Sequence, residues 1–345
     1  MKILLVSPLP PPSGGMARWT QLYLSECSKH GINVTVVNSN LSAKRANSKK
    51  RSFTFIDEVK RSRRIFKDLK KSIRSNRPDV IHICSPCSRY GLFRDLFCLK
   101  AAKEIPVVFH CHCNIEDQAS SKLSKIILRR IVQRSKKVIV LNSDSKKIID
   151  IIEDGKAILI PNFIEDNNVR SEHTISQQLK SVVYVGHVKI KKGINEIFMA
   201  ASKCRDKEFI VVGPIQELPE GVKQPSNVVL TGEVNHDQVA SFMEAADVFL
   251  FPSYTEGFAN VMLEAMASGL PIIASDVGAN KDMIEDQGGV IVPPKKYEPI
   301  VSALAALEDP KVRNGMSHWN IEKVRSQYTL SKVIPIIKRC YEVSV

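Results

Sequence analysis

Two glutamates, Glu256 and Glu264, lie eight positions apart in FPSYTEGFANVMLEAMASGLP, residues 251–271, with Gly257 between them. Paired carboxylates can share acid and nucleophile work at one glycosidic bond, but a retaining hydrolase needs them about 5–5.5 Å apart. Eight positions along a helix separate them by roughly 12 Å. Two separate jobs, one at each end of an elongated ligand, suit that spacing better. A purely structural reading makes Glu256 a helix cap and Glu264 a solvated side chain. Against it, Glu264 stands between Leu263 and Ala265 on a mostly apolar helix, where a charge is disfavoured unless something pairs with it.

The flanking residues say how these carboxylates are positioned. DVFLF predicts a strand, PSYTEGF the turn after it, and ANVMLEAMAS a helix stopped at Gly269 with Pro271 beyond. The N–H groups of 257–260 would point out of that helix start. Such a start attracts an anion by ~0.3–1 kcal/mol, and up to ~2 kcal/mol when partly buried. Gly257 lets a ligand approach the backbone. The same strand–turn–helix pattern recurs along the chain. KILLVSPLP, NVTVVNS, PDVIHICS, PVVFHCH, KVIVLNS and AILIPNF predict one series of strands; SVVYVGHV, EFIVVGP, NVVLTGEV, DVFLFPS, LPIIASD and GGVIVPP predict a second. Helical stretches alternate with both, which predicts α/β architecture with parallel, doubly wound sheets. The polar stretch EDNNVRSEHTISQQ, 165–178, reads as a linker between two lobes. Ligands of such sheets bind beyond the carboxyl ends of strands, which singles out the turns after KILLVSPLP, PVVFHCH, YVGHV and VFLFPS.

With 345 residues, two cores are expected. No apolar run approaches the ~18 residues that a membrane-spanning helix needs. The apolar start, Ile3 to Val6, is too short for a signal peptide, so a cytoplasmic protein is expected. Eight scattered cysteines lack the spacing of a disulfide framework and are expected as thiols. Cys84 and Cys87, with HCHC at His110 to Cys113, have residue types that bind zinc; packing of small side chains at a sheet's edge, at the end of the strand IPVVFH, is the preferred reading, so no metal site is expected. Charge is uneven. Residues 1–165 carry 31 Lys+Arg against 14 Asp+Glu, and residues 166–345 carry 19 against 22. A basic half seeks phosphate, on nucleic acid, anionic lipid or a diphosphate substrate.

Taken together, ADVFLFPSYTEGFANVMLEAMASGLPIIASDVG, PPSGGM, IPVVFHCH, IPNFIE and VGHVKIKKGI, in that arrangement along the chain, resemble the motifs of family 4 glycosyltransferases, a retaining group with the GT-B fold. The resemblance implies two Rossmann-like doubly wound domains facing a central cleft. It implies an acceptor domain over 1–165, a nucleotide-sugar donor domain over 166–324, and a C-terminal helix at about 325–345 that packs back on the first domain. It also implies roles. Glu264 would hold the ribose hydroxyls. Glu256 and the turn Gly257, Phe258, Ala259, Asn260 and Val261 would hold the donor sugar and distal phosphate. Lys192 would pair with the diphosphate, Gly15 would bring its backbone to the phosphates, and His112 would sit at the reacting sugar. Two departures stand out: His187 follows Gly186 where the family has arginine, and Phe163 replaces a usual glycine. Lys189, Lys191 or a protonated His187 would then supply the missing charge.

Retaining transfer from a nucleotide-sugar, most commonly a UDP-sugar, is therefore expected. No Asp-x-Asp occurs in the chain, so metal independence is expected and no cofactor besides the donor. Basic amphipathic stretches at 56–77 and 121–137 fit an anionic membrane surface. In the first, Ile56, Val59, Phe66, Leu69 and Ile73 form the apolar stripe. An acceptor glycan on a polyprenyl diphosphate, as in O-antigen or capsule synthesis, matches this charge. The protein would then lie at the inner face of the cell membrane. Nucleic acid is disfavoured as a partner, because 6% aromatic content leaves few stacking platforms. The alternatives are a nucleotide-sugar epimerase of the same fold and a non-catalytic, transferase-like binding protein.

Overall fold

A computed structural model describes residues 1–11, 14–40 and 55–345. Pro12 and Ser13 of the PPSGGM motif lie outside the described residues. The chain divides into two compact units, Met1–Phe163 with Leu330–Val345, and Ile164–Thr329. The chain thus leaves the first unit after Phe163 and re-enters it at Leu330, a few residues from the expected limits at 165 and 325.

In the N-terminal unit, β1 (Lys2–Ser7), β2 (Asn33–Asn38), β3 (Val80–Ser85), β4 (Val107–Cys111), β5 (Lys137–Val140) and β6 (Ala157–Leu159) form a parallel sheet in the order β2-β1-β3-β4-β5-β6. Strands buried on both faces read as continuous apolar runs, which is why KILLV and VIHIC carry no alternation. One face of the sheet, with Ile3, Leu5, Val80, Cys84, Val108 and Ile139, packs under α1 (Gly15–Cys27) and the C-terminal helix Leu330–Glu342. The opposite face packs under α2 (Phe55–Asn76), α3 (Arg89–Ala102) and α4 (Lys122–Arg134). Helix α2 turns Ile65 and Leu69 fully inward and leaves Ile56 62% exposed. The expected stripe is therefore rotated: its buried line runs through Ile65, and Val59 and Phe66 border an outer groove instead.

The second unit repeats the plan with β7 (Ser181–Val185), β8 (Glu208–Val212), β9 (Val228–Gly232), β10 (Val248–Phe251), β11 (Ile272–Ser275) and β12 (Gly289–Val292), ordered β12-β11-β10-β7-β8-β9 and all parallel. Counted within the unit, this is the 3-2-1-4-5-6 order of dinucleotide-type sheets, and direction reverses between β7 and β10. The stretch read as a linker is not one. Arg170 N–H donates to the Ala267 carbonyl at 2.9 Å, His173 Nε2 lies 3.1 Å from the Ala246 carbonyl, and the Ser176 carbonyl accepts from Arg313 at 2.6 Å. Its backbone and the His173 side chain bond to the unit itself, so a polar composition does not make it a tether.

Candidate active site

The switch point of the second sheet collects the candidate donor residues. At the carboxyl end of β7, Gly186 and His187 begin a turn in which the Tyr184 hydroxyl donates to the His187 carbonyl at 2.9 Å. The turn continues into a single 3₁₀ turn, Ile190–Lys192, closed by Gly193 at φ +84°. A Cβ on Gly193 would stand 2.3 Å from the Pro252 carbonyl, so only glycine lets the turns after β7 and β10 touch. Tyr254 N–H donates to the Lys191 carbonyl at 3.1 Å and ties the two turns together.

Within this frame Lys192 Nζ donates to Glu256 Oε1, and Ser253 Oγ donates to the same oxygen at 2.8 Å. Lys192 Nζ also stands 5.9 Å above the Phe251 ring. The Tyr254 hydroxyl lies 2.9 Å from both carboxylate oxygens of Glu196. Gly257, Phe258 and Ala259 complete the turn, and α5 (Asn260–Ala267) begins behind Ala259 with no side-chain cap and no acidic residue in its first turn. Met262, Leu263, Ala265, Met266 and Ala267 of α5 are buried, whereas Val261 and Glu264 are half-buried. The Glu264 carboxylate approaches His236 Nε2 at 3.9 Å. The charge that looked out of place on an apolar helix thus occupies its one open side. His187 and Lys191 are exposed and Lys189 is half-buried.

Sequence reading missed Gly278, at φ +56° in the turn after β11. A Cβ there would stand 2.1 Å from the Glu256 carbonyl, and Ala279 N–H donates to the Gly257 carbonyl at 3.0 Å. This neighbour holds the backbone of the glutamate turn. The signal was present in SDVG, a glycine just past a strand, but nothing in the sequence said which turn it would meet.

The N-terminal unit holds Gly15 and His112. Gly15 is the first residue of α1, behind an extended Gly14 that provides no side-chain cap. His112 follows β4; its N–H donates to the Ser85 carbonyl at 2.8 Å. Its ring lies 3.8 Å from that of His110 and 5.0 Å from Trp19, which it meets edge-on. Trp19 also meets His82 and His110 edge-on. Burial pushes His112 and His82 down to about 3, and holds His110 well below the usual imidazole range, so all three rings are neutral. Among the described residues, Nε2 of His110 and Nε2 of His112 have no hydrogen-bond partner. On the other face of the same strands, hydrogen bonds from the Cys111 and Cys113 thiols pull Cys87 well below the usual thiol range. All eight cysteines are free and buried. The His–Cys cluster does not lie at a margin of the sheet, because β3 and β4 are its central strands.

These two sheets and their strand-end turns are those of the GT-B fold. Residues 13–168 match the model of Glycosyltransferase Family 4, and residues 179–309 match that of Glycosyl transferases group 1. The chain belongs to the family 4 glycosyltransferases. It is 29% identical over 164 residues to the putative teichuronic acid biosynthesis glycosyltransferase TuaC of Bacillus subtilis, covering 46% of this chain and 41% of that one. It is 28% identical over 210 residues to the capsular polysaccharide biosynthesis glycosyltransferase CapM of Staphylococcus aureus, covering 56% and 55%. The matches thus span about half the length of these relatives. Among solved structures, Anabaena HepE in complex with UDP and glucose superposes with a TM-score of 0.72 at 14% identity, over 99% of each chain; that likeness concerns the fold.

Proposed function

We propose that the protein is a retaining glycosyltransferase that moves a sugar from a nucleotide-sugar, UDP-linked, to a glycan acceptor borne on a lipid diphosphate. The observation that carries this reading is the Lys192–Glu256–Ser253 constellation at the β7/β10 switch point, beside an uncapped helix start and ahead of Glu264. An ammonium and a helix N-terminus at one place suit a diphosphate. A carboxylate two turns further along suits a pair of vicinal hydroxyls.

In the reaction the bond between the anomeric carbon and the phosphate oxygen breaks, and a bond from the acceptor hydroxyl oxygen forms on the same face. The departing phosphate oxygen takes the acceptor's proton. Lys192 and the start of α5 meet the growing negative charge; such preorganised donors are worth about 2.7–4 kcal/mol each when removed. Before the donor arrives, Glu256 holds the ammonium in place. Once the diphosphate takes the ammonium, the carboxylate is released to accept from sugar hydroxyls. His112 carries a neutral imidazole and would add no charge at the reacting sugar, the role that the family resemblance implies for it. No metal is required in this scheme. The names of the relatives, for teichuronic acid and capsular polysaccharide, support a role in surface polysaccharide synthesis such as capsule or O-antigen.

The lipid part of the proposal, and with it a place at the cytoplasmic face of the membrane, rests on the N-terminal unit. No helix among the described residues is long and apolar enough to cross a membrane. A groove of about 610 Å³ between α2 and α3 is lined by Val59, Phe66, Tyr90, Phe93, Phe97 and Leu123. Lys70 and Lys100 stand over the Phe66 and Phe97 rings, and Arg63 and Arg89 border the same groove. An apolar trough with a cationic mouth complements an anionic lipid, at about 1 kcal/mol per cation near the surface. Arg61 and Arg64 are not part of it, since they donate to carbonyls of 38–40.

A panel of nucleotide-sugars against long-chain lipid diphosphate acceptors and short soluble analogues, read by mass spectrometry, tests the whole reading. Transfer is expected. Isomerised nucleotide-sugar as the sole product would replace it with an epimerase, and binding without turnover with a non-catalytic protein. Replacing Arg63, Lys67, Lys70 and Lys71 with glutamine should reduce binding to acidic vesicles and transfer to the long-chain acceptor, with transfer to the short analogue retained. Equal loss on both acceptors would remove the membrane contact.

A further inference from the structure

Strand pleat and register bring together three donor atoms from residues up to 28 positions apart. His82 and Cys84 are two apart on β3 and share a face. His110 on β4 is the register partner of Cys84, so its ring falls on that face too. Helix α1 and α6 (Leu330–Glu342) cover this face, leaving His82 and Cys84 at 0% exposure and His110 at 1%. His82 Nε2 lies 3.2 Å from His110 Nδ1 and 3.8 Å from Cys84 Sγ, and the three donors fall within 4.8 Å of one another. A triangle with such sides has a point about 2.0–2.4 Å from all three corners, which matches the ~2.0–2.1 Å of zinc–nitrogen and ~2.3 Å of zinc–sulfur bonds.

We propose that His82, Cys84 and His110 bind a borderline-soft divalent cation, zinc, inside the N-terminal unit. The surroundings suit it. The Tyr341 hydroxyl lies 2.6 Å from His82 Nδ1 and 3.0 Å from the Tyr23 hydroxyl. With Nδ1–H donated to Tyr341, the Nε2 lone pair points at the cluster, the outer-shell arrangement that orients metal-binding imidazoles. Ligation takes a neutral imidazole and a thiolate. On binding, Cys84 Sγ–H gives its proton to solvent and the thiolate takes the metal. No oxidant or reductant is involved. The three side chains supply three positions of a tetrahedron. The cation would join β3 to β4 and, through Tyr341, to α6. The site is independent of the donor-binding turns.

The test is equilibrium dialysis of the full chain against buffered zinc, with metal counted by mass spectrometry, beside cobalt substitution followed by visible absorption. One zinc per chain is expected, along with tetrahedral cobalt bands and a thiolate-to-cobalt charge-transfer band. Cys84→Ser should abolish that band and weaken zinc binding at least tenfold. Cys87→Ser should leave both unchanged. Tyr341→Phe should weaken zinc binding by about 10–100-fold, as for other outer-shell partners, while keeping the charge-transfer band. Circular dichroism of each metal-free variant shows whether it is folded. If Cys84→Ser is not, His82→Asn decides by stoichiometry. Absence of zinc above a metal-free blank would overturn the proposal. So would a charge-transfer band that survives Cys84→Ser, or one lost in Cys87→Ser, which would assign the metal to the thiols of Cys87, Cys111 and Cys113.

Discussion

The two units place titratable groups at the carboxyl ends of central parallel strands, yet treat them oppositely. Around His112 the groups are packed against Trp19 and against one another, and burial makes them neutral. Around Glu256 an ammonium and a hydroxyl meet the carboxylate, and the side chains stay partly open to solvent. The difference teaches that a strand-end position does not set the electrostatics of a site. What lies over it does: α1 and α6 cover the histidines, whereas the glutamate turn is flanked within its unit by the turns that carry Lys192 and Gly278. A covered site suits neutral hydrogen bonding or soft-metal ligation, and an open charged one suits a diphosphate.

The comparison breaks most readily at Trp19. Trp19→Ala removes the ring that three histidines face, and a loss of about 3–5 kcal/mol of stability is expected. Denaturant unfolding followed by circular dichroism measures it. Nucleoside diphosphate affinity of the folded variant should stay close to that of the parent, since Lys192, Glu256 and Glu264 belong to the other unit. A parallel loss of affinity would show that the covered and open sites are one system.

Lys192→Ala should reduce kcat/KM for transfer by about 10²–10³-fold, the usual cost of losing a preorganised electrostatic partner. Retained activity would deny that the open site works by charge. Glu264→Ala should weaken nucleoside diphosphate binding about ten- to hundredfold in calorimetry, from a hydrogen bond to a charged group worth about 1.5–3 kcal/mol. Unchanged binding would sink the ribose assignment.

Gly278→Ala sharpens the same point through the backbone. A methyl 2.1 Å from the Glu256 carbonyl forces the glutamate turn to move, and an alanine at φ +56° costs about 1–2 kcal/mol. Donor affinity should fall while α5 stays folded; an unchanged affinity would show that the turn's position is not critical. The smallest effect is expected from added magnesium or manganese, which should not raise the transfer rate, because in the proposed scheme Lys192 and the helix start meet the phosphate charge. A rate that depends on either ion would replace that account with a metal clamp.

The amino-acid sequence by itself determined two series of buried strands, the glutamate turn and the uneven charge. Continuous apolar runs, turn glycines and charge counts are local properties and need no partner to be read. Only the tertiary structure decided that residues 165–178 pack onto their own unit, that α2 buries Ile65 in place of Ile56, and that Gly278 supports Glu256. It likewise decided that Glu264 occupies the open side of α5. It also separated the cysteines: Cys84 joins His82 and His110 on one face of the sheet, and Cys87, Cys111 and Cys113 gather on the other. The physical reason is the pleat. Neighbours in sequence point to opposite faces, and the register between β3 and β4, set by long-range pairing, chooses which distant side chains meet.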